Sequence, residues 1–322
     1  MEAKTYHVFT FDSSPDPRGF LDDRSGSSLP AEDVLSSRSA YCSGCGCSLD
    51  VSRAVVAPAI SSNGFYLGGF RPQRRLKIIR VLVATLSLIS ATAASPDKHF
   101  ADRRERMLNA VQAMARAVHS HGTEISPAVL EAMREVPRHE LVPAKVRDDA
   151  YENHPLFIGH GQTISQPYIV ALMTSLARPA KDHVVLEVGT GSGYQAAVLS
   201  RLVARVYTIE IVEPLAQEAA ANLKRIGYDN VMVRAGDGYK GWAEHAPFDA
   251  IVVTAAANHV PQPLVDQLKR GGRLVIPVGG KSMSQNLMVI EKDERGKAHN
   301  RAIIPVRFVP LTGEGEGGPP SR

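Results

Sequence analysis

Three glycines at every second position follow an acidic residue near the middle of the chain. Residues 184–193 read V-V-L-E-V-G-T-G-S-G, in which the acidic residue is Glu187 and the glycines are Gly189, Gly191 and Gly193. Glycines at this spacing allow the backbone to approach a ligand that any Cβ would push away. The dinucleotide fingerprint G-x-G-x-x-G needs a glycine at position 194, where this chain has Tyr194. The turn therefore predicts a nucleotide-type ligand and argues against NAD.

Two more carboxylates stand where a nucleoside would be held. Glu210 closes the run R-V-Y-T-I, 19 residues after Gly191, and a carboxylate there can accept hydrogen bonds from both hydroxyls of a ribose. We expect it to be solvent-accessible in the empty protein. Asp237 lies between two glycines in G-D-G, where it offers an acceptor to an adenine edge or amine.

Short apolar runs precede these polar residues and predict the strands that position them. Predicted strands cover 184–188, 205–209, 230–233 and 249–253, and 194–202 is predicted to be a helix. Ligands of open α/β sheets bind at the carboxyl ends of the strands, so the glycine turn, Glu210 and Asp237 should meet at one edge. The pattern predicts an α/β fold with a doubly wound, mostly parallel sheet. The combination resembles the class I, Rossmann-like methyltransferases that bind S-adenosyl-L-methionine; the alternative is an α/β domain with ordinary loop glycines.

The segment before the glycine turn narrows this resemblance. Residues 136–143 contain V-P-R-H and L-V-P, and 159–167 read G-H-G-Q-T-I-S-Q-P. Together with V-R-A-G-D-G and F-V-P-L-T further along, these motifs are similar to those of the protein-L-isoaspartate O-methyltransferases, a protein-repair family. The resemblance runs from about Arg103 to Gly313, and T-I-S-Q-P is its family-specific element.

The resemblance implies methyl transfer from S-adenosyl-L-methionine to the free α-carboxyl of L-isoaspartyl residues in damaged proteins and peptides, which starts repair through a succinimide. A carboxyl is already ionised at neutral pH, so the reaction needs positioning and exclusion of water rather than a general base. Ser165 is the implied catalytic residue, and it would orient the substrate carboxylate. Its local sequence also fits a cap for a helix beginning at Pro167. A class I methyltransferase that acts on another carboxylate or a small molecule is the alternative function.

The expected site combines this serine with cofactor and substrate contacts. The expected cofactor contacts are Thr163, Glu187, Gly189, Gly191, Gly193, Glu210, Asp237 and Gly238. His160 and Thr312 are expected on the substrate side. Glu187 could either contact the amino acid end of the cofactor or fix the glycine turn through backbone N–H groups. Some family members carry a histidine five residues after the serine; Val170 stands there, so that contact should be absent.

Helices are also expected before the sheet. Residues 103–119 have helical apolar spacing, and Ser126-Pro127 opens a second helix with Ser126 as a plausible N-cap. In the family these helices lie against the cofactor domain. A final pair of strands is expected at 286–291 and 303–309.

Composition bears on partners and metals. The chain has 322 residues, 44% of them hydrophobic and 6% aromatic, and a net charge of +4. The densest basic run, 71–80, lies outside the predicted catalytic domain, so no nucleic-acid partner is expected. His139 and His160 lack ligand spacing with other His, Cys or carboxylates, so no metal is expected there.

The first hundred residues differ in composition. Residues 1–70 are rich in Ser, Gly, Pro and Asp and predict an irregular extension. Within it Cys42, Cys45 and Cys47 could supply three zinc ligands, but the sequence offers no second C-x-x-C for a fourth, so three exposed thiols in a flexible tail are the favoured interpretation. We therefore expect an N-terminal extension over 1–100, a methyltransferase domain over 101–313 and a flexible tail over 314–322.

The segment 71–95 has the layout of a secretory signal. Five basic residues in 71–80 precede an uncharged apolar run that ends with A-T-A at 91–93. The run is too short for a comfortable membrane span, so no stable membrane partner is expected. Because the cofactor is made in the cytoplasm, we expect a cytoplasmic enzyme. Export to the periplasm through 71–95 is the alternative.

Overall fold

The computed structural model describes residues 96–118, 123–280 and 284–316. Most of the predicted extension, including the three cysteines and the signal-like segment 71–95, lies outside the described residues. Residues 317–322 of the predicted tail also lie outside them.

The described residues form a layered α/β structure. Its helices are α1 (Pro96–Ala117), α2 (Pro127–Glu135), α3 (Pro167–Ala177), α4 (Tyr194–Ser200), α5 (Glu213–Arg225) and α6 (Gln262–Asp266). Its strands are β1 (Leu156–Gly159), β2 (Gln162–Ile164), β3 (Val184–Val188), β4 (Arg205–Glu210), β5 (Val231–Ala235), β6 (Phe248–Val253), β7 (Leu268–Val278), β8 (Gln285–Lys292) and β9 (Ala298–Val306). Short 3₁₀ turns connect several of these elements.

The main sheet has seven strands in the order β5-β4-β3-β6-β7-β8-β9. Strands β3 to β7 pair in parallel, and β8 and β9 add antiparallel neighbours at one edge. The chain moves outward from β3 through β4 to β5 and then returns to the other side of β3 with β6. This reversal beside β3 is the switch point where open α/β sheets bind ligands. The predicted doubly wound, mostly parallel fold is confirmed.

Both faces of the sheet are covered. Successive side chains of a strand point to opposite faces, so Val185 packs in one buried cluster with helices α1 to α5, while Leu186 packs in a second cluster with α6. Both residues are fully buried. The continuous apolar strands of the sequence therefore reflect a sheet with no solvent-facing side at its centre.

The predicted elements are present with shifted ends. Helix α1 begins at Pro96, seven residues before the predicted start, because its first turns are polar and carry no apolar periodicity. Strand β9 begins at Ala298 rather than 303 for the same reason, since its first residues are exposed. Ser126 takes the N-cap position of α2, but its side chain makes no capping hydrogen bond. No helix in the described ranges is both long enough and apolar enough to cross a membrane.

Candidate active site

The glycine turn joins β3 to α4 and is held against the end of β4. The backbone N–H groups of Gly189 and Thr190 donate to the Ile209 carbonyl over 2.8 and 3.2 Å. Gly189 has a φ of +95°, and a Cβ there would lie 2.4 Å from the Thr254 hydroxyl oxygen. That hydroxyl in turn donates to the Gly189 carbonyl over 2.7 Å. The sequence therefore needs glycine at 189 both for its backbone conformation and for the close approach of Thr254.

Glu210 fixes the turn from the end of β4. One carboxylate oxygen accepts the Gly191 N–H over 2.9 Å, and the other accepts the Val212 N–H over 3.0 Å. The expectation that Glu210 is solvent-accessible is wrong, because the residue is only 6% exposed. Its carboxylate turns back onto these two backbone groups. It still reaches the cleft described below, where each oxygen keeps a lone pair for a further donor.

Glu187 lies behind the turn in β3. It is fully buried, and the Thr208 hydroxyl donates to it over 2.5 Å. The Thr208 and Thr190 hydroxyls lie 2.6 Å apart, so a chain of two hydroxyls connects Glu187 to the glycine turn. Burial raises the pKa of the Glu187 carboxyl to about 8, and the charge of Glu210 acts in the same direction. Glu187 therefore supports the turn from within the core and does not line the cleft.

A cleft that is open to solvent lies beside the glycine turn. Its lining residues are Gln162, Thr163, Val188, Gly189, Gly191, Ile209, Glu210, Ile211, Gly238, Thr254, Ala255, Val309, Pro310, Leu311 and Thr312. Six predicted site residues are among them, namely Thr163, Gly189, Gly191, Glu210, Gly238 and Thr312. The cleft lining does not include Ser165, Glu187, Gly193, Asp237 or His160.

Several lining residues were not predicted. Thr254 follows β6 directly, and a polar residue at the end of a central parallel strand is a signal that could have identified it. The wall formed by 309–311 carries no such signal. It is held by long-range backbone hydrogen bonds to Ala256, from Ala256 N to Val309 O over 2.8 Å and from Leu311 N to Ala256 O over 2.7 Å.

Asp237 connects the G-D-G turn to the segment that follows this wall. One carboxylate oxygen accepts the Tyr239 N–H over 2.9 Å, and the other accepts the Glu314 N–H over 3.0 Å. Lys240 forms an ion pair with the Glu314 side chain over 2.7 Å. The carboxylate therefore fastens the segment after Thr312 beside the cleft.

Ser165 lies between β2 and α3 and is half-buried. The alternative that it caps α3 is wrong, because Gln166 takes the N-cap position and the side-chain oxygen of Asn153 accepts the Tyr168 N–H over 3.0 Å. The side chain of Gln166 also donates to the Asn153 carbonyl over 2.8 Å. Within the described residues the Ser165 hydroxyl has no hydrogen-bond partner, and it remains able to bind a ligand.

His160 stands at the exposed tip of the β1–β2 hairpin. His160 has a φ of +52°, and its neighbours Gly159 and Gly161 also have positive φ values. In the part of the chain that the structure describes, no group of three or more His, Cys, Asp or Glu residues could hold a metal ion.

Comparisons with known proteins agree on one family. The family model described as protein-L-isoaspartate(D-aspartate) O-methyltransferase matches residues 109–316. Protein-L-isoaspartate O-methyltransferase 2 of Syntrophobacter fumaroxidans is 57% identical over 235 residues, which are 72% of this chain and 95% of the relative. The protein of the same name from a Polaromonas species is 64% identical over 186 residues, 58% of this chain and 88% of the relative.

Two solved structures share the fold. A protein-L-isoaspartate O-methyltransferase matches with a TM-score of 0.57 at 30% identity, covering 65% of this chain and 66% of the other. A Plasmodium falciparum structure assigned to the same enzyme class, in complex with S-adenosyl-L-homocysteine, matches with a TM-score of 0.52 at 26% identity. It covers 62% of this chain and 97% of the other.

Replacing Glu187 should remove a pH-dependent cost to stability. Its pKa is about 8 in the folded protein against 4.5 ordinarily, so between these values the folded state binds more protons than the unfolded state. The free energy of unfolding of the wild type therefore falls as the pH rises through this window. Glu187→Gln lacks this titrating carboxyl. The difference between its free energy of unfolding and that of the wild type should therefore rise by up to about 1.4 kcal/mol per pH unit, and it should level off above about pH 8. Urea unfolding across this range measures it.

Glu244→Gln is the matched control, because that side chain is 74% exposed. Its difference from the wild type should be nearly flat with pH. An equally flat difference for Glu187→Gln would contradict the assignment.

Glu210→Ala should weaken both the fold and ligand binding. It removes the acceptor of two backbone N–H groups, which should cost about 1–3 kcal/mol of unfolding free energy. It should also weaken binding of S-adenosyl-L-homocysteine at least tenfold, since a charge-assisted acceptor is lost. Calorimetric titration and thermal melts measure the two effects. The exposed helix residue Glu218 gives the control Glu218→Ala; an unchanged dissociation constant in Glu210→Ala would show that the ribose lies elsewhere.

Proposed function

Because the chain belongs to the protein-L-isoaspartate O-methyltransferase family, we propose that the cleft beside the glycine turn binds S-adenosyl-L-methionine and that Ser165 presents the substrate carboxylate to it. The enzyme transfers the methyl group of S-adenosyl-L-methionine to the free α-carboxyl of L-isoaspartyl residues in damaged proteins and peptides. The role of Ser165 rests on one observation, which is that its hydroxyl has no hydrogen-bond partner among the described residues. Ser165 lies two residues after Thr163, which lines the cleft.

The hydrogen-bond acceptors and the apolar lining of the cleft suit an adenosyl ligand. Glu210 has free lone pairs at the cleft for the ribose hydroxyls. Ile211 follows it directly, is 42% exposed and lines the cleft, as an apolar contact for a planar base would. The glycines of the turn leave room for the ligand to approach the backbone. Glu187 is buried behind them, so we assign it to support of the turn rather than to cofactor contact.

The residues of the chain act by positioning. When bound, the cofactor supplies a methyl group made electrophilic by its sulfonium. The Ser165 hydroxyl donates a hydrogen bond to one oxygen of the substrate carboxylate and leaves the other directed at the methyl carbon. No side chain needs to remove a proton, because the carboxylate is already ionised. Holding two reactants in this geometry can supply on the order of 7 to 11 kcal/mol.

The product ester explains the link to repair. Methylation converts a poor leaving oxygen into one that departs as methanol when the neighbouring backbone nitrogen closes a succinimide. Hydrolysis of that ring returns some normal aspartate.

Methyl transfer from labelled cofactor to matched isoaspartyl and aspartyl peptides tests the substrate class, and equal transfer to both would favour a less selective carboxylate methyltransferase. His160 and Thr312 are proposed to contact the peptide.

We propose further that the enzyme acts in the cytoplasm, on isoaspartyl proteins and peptides, without a nucleic-acid or stable membrane partner. The cytoplasm contains the cofactor, and the net charge of +4 is modest. Mass spectrometry of the mature amino terminus tests this. Cleavage after 91–93 would instead favour export.

Ser165→Ala should bind S-adenosyl-L-homocysteine nearly as well as the wild type and melt normally but lose most methyl transfer, because the hydroxyl acts on the substrate carboxylate. Single-turnover rates and thermal melts on the same preparation measure this. Ser175→Ala is the control, since the Ser175 hydroxyl oxygen accepts the Ser126 N–H over 3.0 Å. It should lower stability and leave turnover intact. Wild-type turnover in Ser165→Ala would end the catalytic assignment.

Removal of residues 1–95 should leave kcat/KM for an isoaspartyl peptide within about threefold of the full chain, because α1 and every proposed site residue follow. Steady-state kinetics and thermal melts of a chain beginning at Pro96 measure this. A chain beginning at Gln112 is the control; it lacks the buried Met107, Leu108 and Val111 and should lose stability. A loss of more than tenfold, about 1.4 kcal/mol of transition-state stabilisation, in a normally melting chain from Pro96 would place part of the active site in the extension.

A further inference from the structure

We propose that Arg138 is a positioning residue that holds the Ser165 backbone at a fixed place relative to the glycine turn. The proposal rests on the proposed role of Ser165. Arg138 is entirely buried. It begins the 3₁₀ turn Arg138–Leu141, far along the chain from the serine and the cofactor turn that it connects.

The contacts of Arg138 converge on the two halves of the site. Its Nη2 donates to the Ser165 carbonyl over 2.8 Å, and its Nε donates to the Ala150 carbonyl over 2.7 Å. The guanidinium carbon lies 4.5 Å from the centre of the Tyr194 ring. Tyr194 directly follows Gly193 and begins α4. One planar group therefore contacts both the serine backbone and the first residue of the helix after the glycine turn.

A buried arginine without an acidic partner needs an explanation. Burying a charge is costly unless it is paired or well hydrogen-bonded, and no carboxylate among the described residues pairs with Arg138. By contrast Arg273, the other buried arginine of the described ranges, pairs with Glu291 over 2.6 Å. Burial lowers the pKa of Arg138 to about 10, so it remains a cation at neutral pH. Two carbonyls and an aromatic face take the place of the missing carboxylate.

The chemistry of the group suits this role. A guanidinium donates along fixed directions in one plane, so two carbonyls bonded to it are held at a set separation and orientation. Lysine keeps the charge but loses the planar fork. The Ser165 hydroxyl itself has no partner that would fix it in the described residues, so its placement depends on the backbone that Arg138 holds. A small displacement of a positioning group can lower turnover strongly.

The test compares Arg138→Lys with Arg273→Lys in the full chain. Arg138→Lys should lower kcat for an isoaspartyl peptide at least tenfold, while the dissociation constant for S-adenosyl-L-homocysteine changes less than about threefold. Arg273→Lys should leave kcat within about twofold. A merely structural role would lower the melting temperature and the fraction of active enzyme but not the single-turnover rate of the folded fraction.

Combination with Ser165→Ala shows whether Arg138 acts through the serine. Once the hydroxyl is absent, Arg138→Lys should lower the single-turnover rate no further. Effects that multiply in Arg138→Lys/Ser165→Ala would overturn the proposal and leave the role of Ser165 intact, as would wild-type kcat in Arg138→Lys. Wild-type turnover in Ser165→Ala would overturn the role of Ser165 and this proposal with it.

Tyr194 gives an independent approach if Arg138→Lys does not fold. Tyr194→Leu removes the aromatic face under the guanidinium and should lower kcat in the same non-additive way. Tyr194→Phe keeps the face and loses only a buried hydroxyl that has no partner, so it should retain wild-type kcat. Equal kcat in Tyr194→Leu and Tyr194→Phe would contradict the proposal.

Discussion

The site depends on the parallel register of β3 with β4. Val188 lies opposite Ile209, and this pairing places the glycine turn directly over the end of β4. There the Ile209 carbonyl accepts two turn N–H groups and Glu210 accepts a third. A shift of one residue would reverse which side chains face each layer of the core and would move Glu210 away from the turn. The register thus determines both which side chains pack in the core and where Glu210 lies at the cleft.

Two carboxylates on these neighbouring strands have different environments. Glu210 accepts backbone hydrogen bonds at the cleft, whereas Glu187 is enclosed in the core and keeps its proton to higher pH. Of the two residues, only Glu210 lines the cleft. The buried residue contributes through hydroxyls, from Thr208 to Thr190. The glycine turn is therefore supported on one side by a charged acceptor and on the other by a chain of neutral groups.

Features that depend on local sequence were predictable. Strand β3, the glycine turn and Glu210 follow from an apolar run, residue spacing and the rule that parallel strands end at one edge. The burial of Glu210 was not predictable, because it results from hydrogen bonds made by the folded turn. The cap supplied to α3 by Asn153, the buried place of Arg138 and the wall at 309–311 all require contacts between distant parts of the chain. Periodicity carries no information about such contacts, and the serine before Gln166 consequently resembled a cap.

The wall at 309–311 also has a consequence for biosynthesis. It lines the cleft together with Gln162 and Thr163, and these two parts of the lining come from opposite ends of the domain sequence. Domains form as units while the chain is made from its amino terminus, so a ribosome that has completed only the central strands has not yet made a complete binding cleft. A ligand that needs the complete cleft cannot assist the early steps of folding. Chains that stop before residue 309 would contain the glycine turn and Glu210 and still lack one side of the cleft.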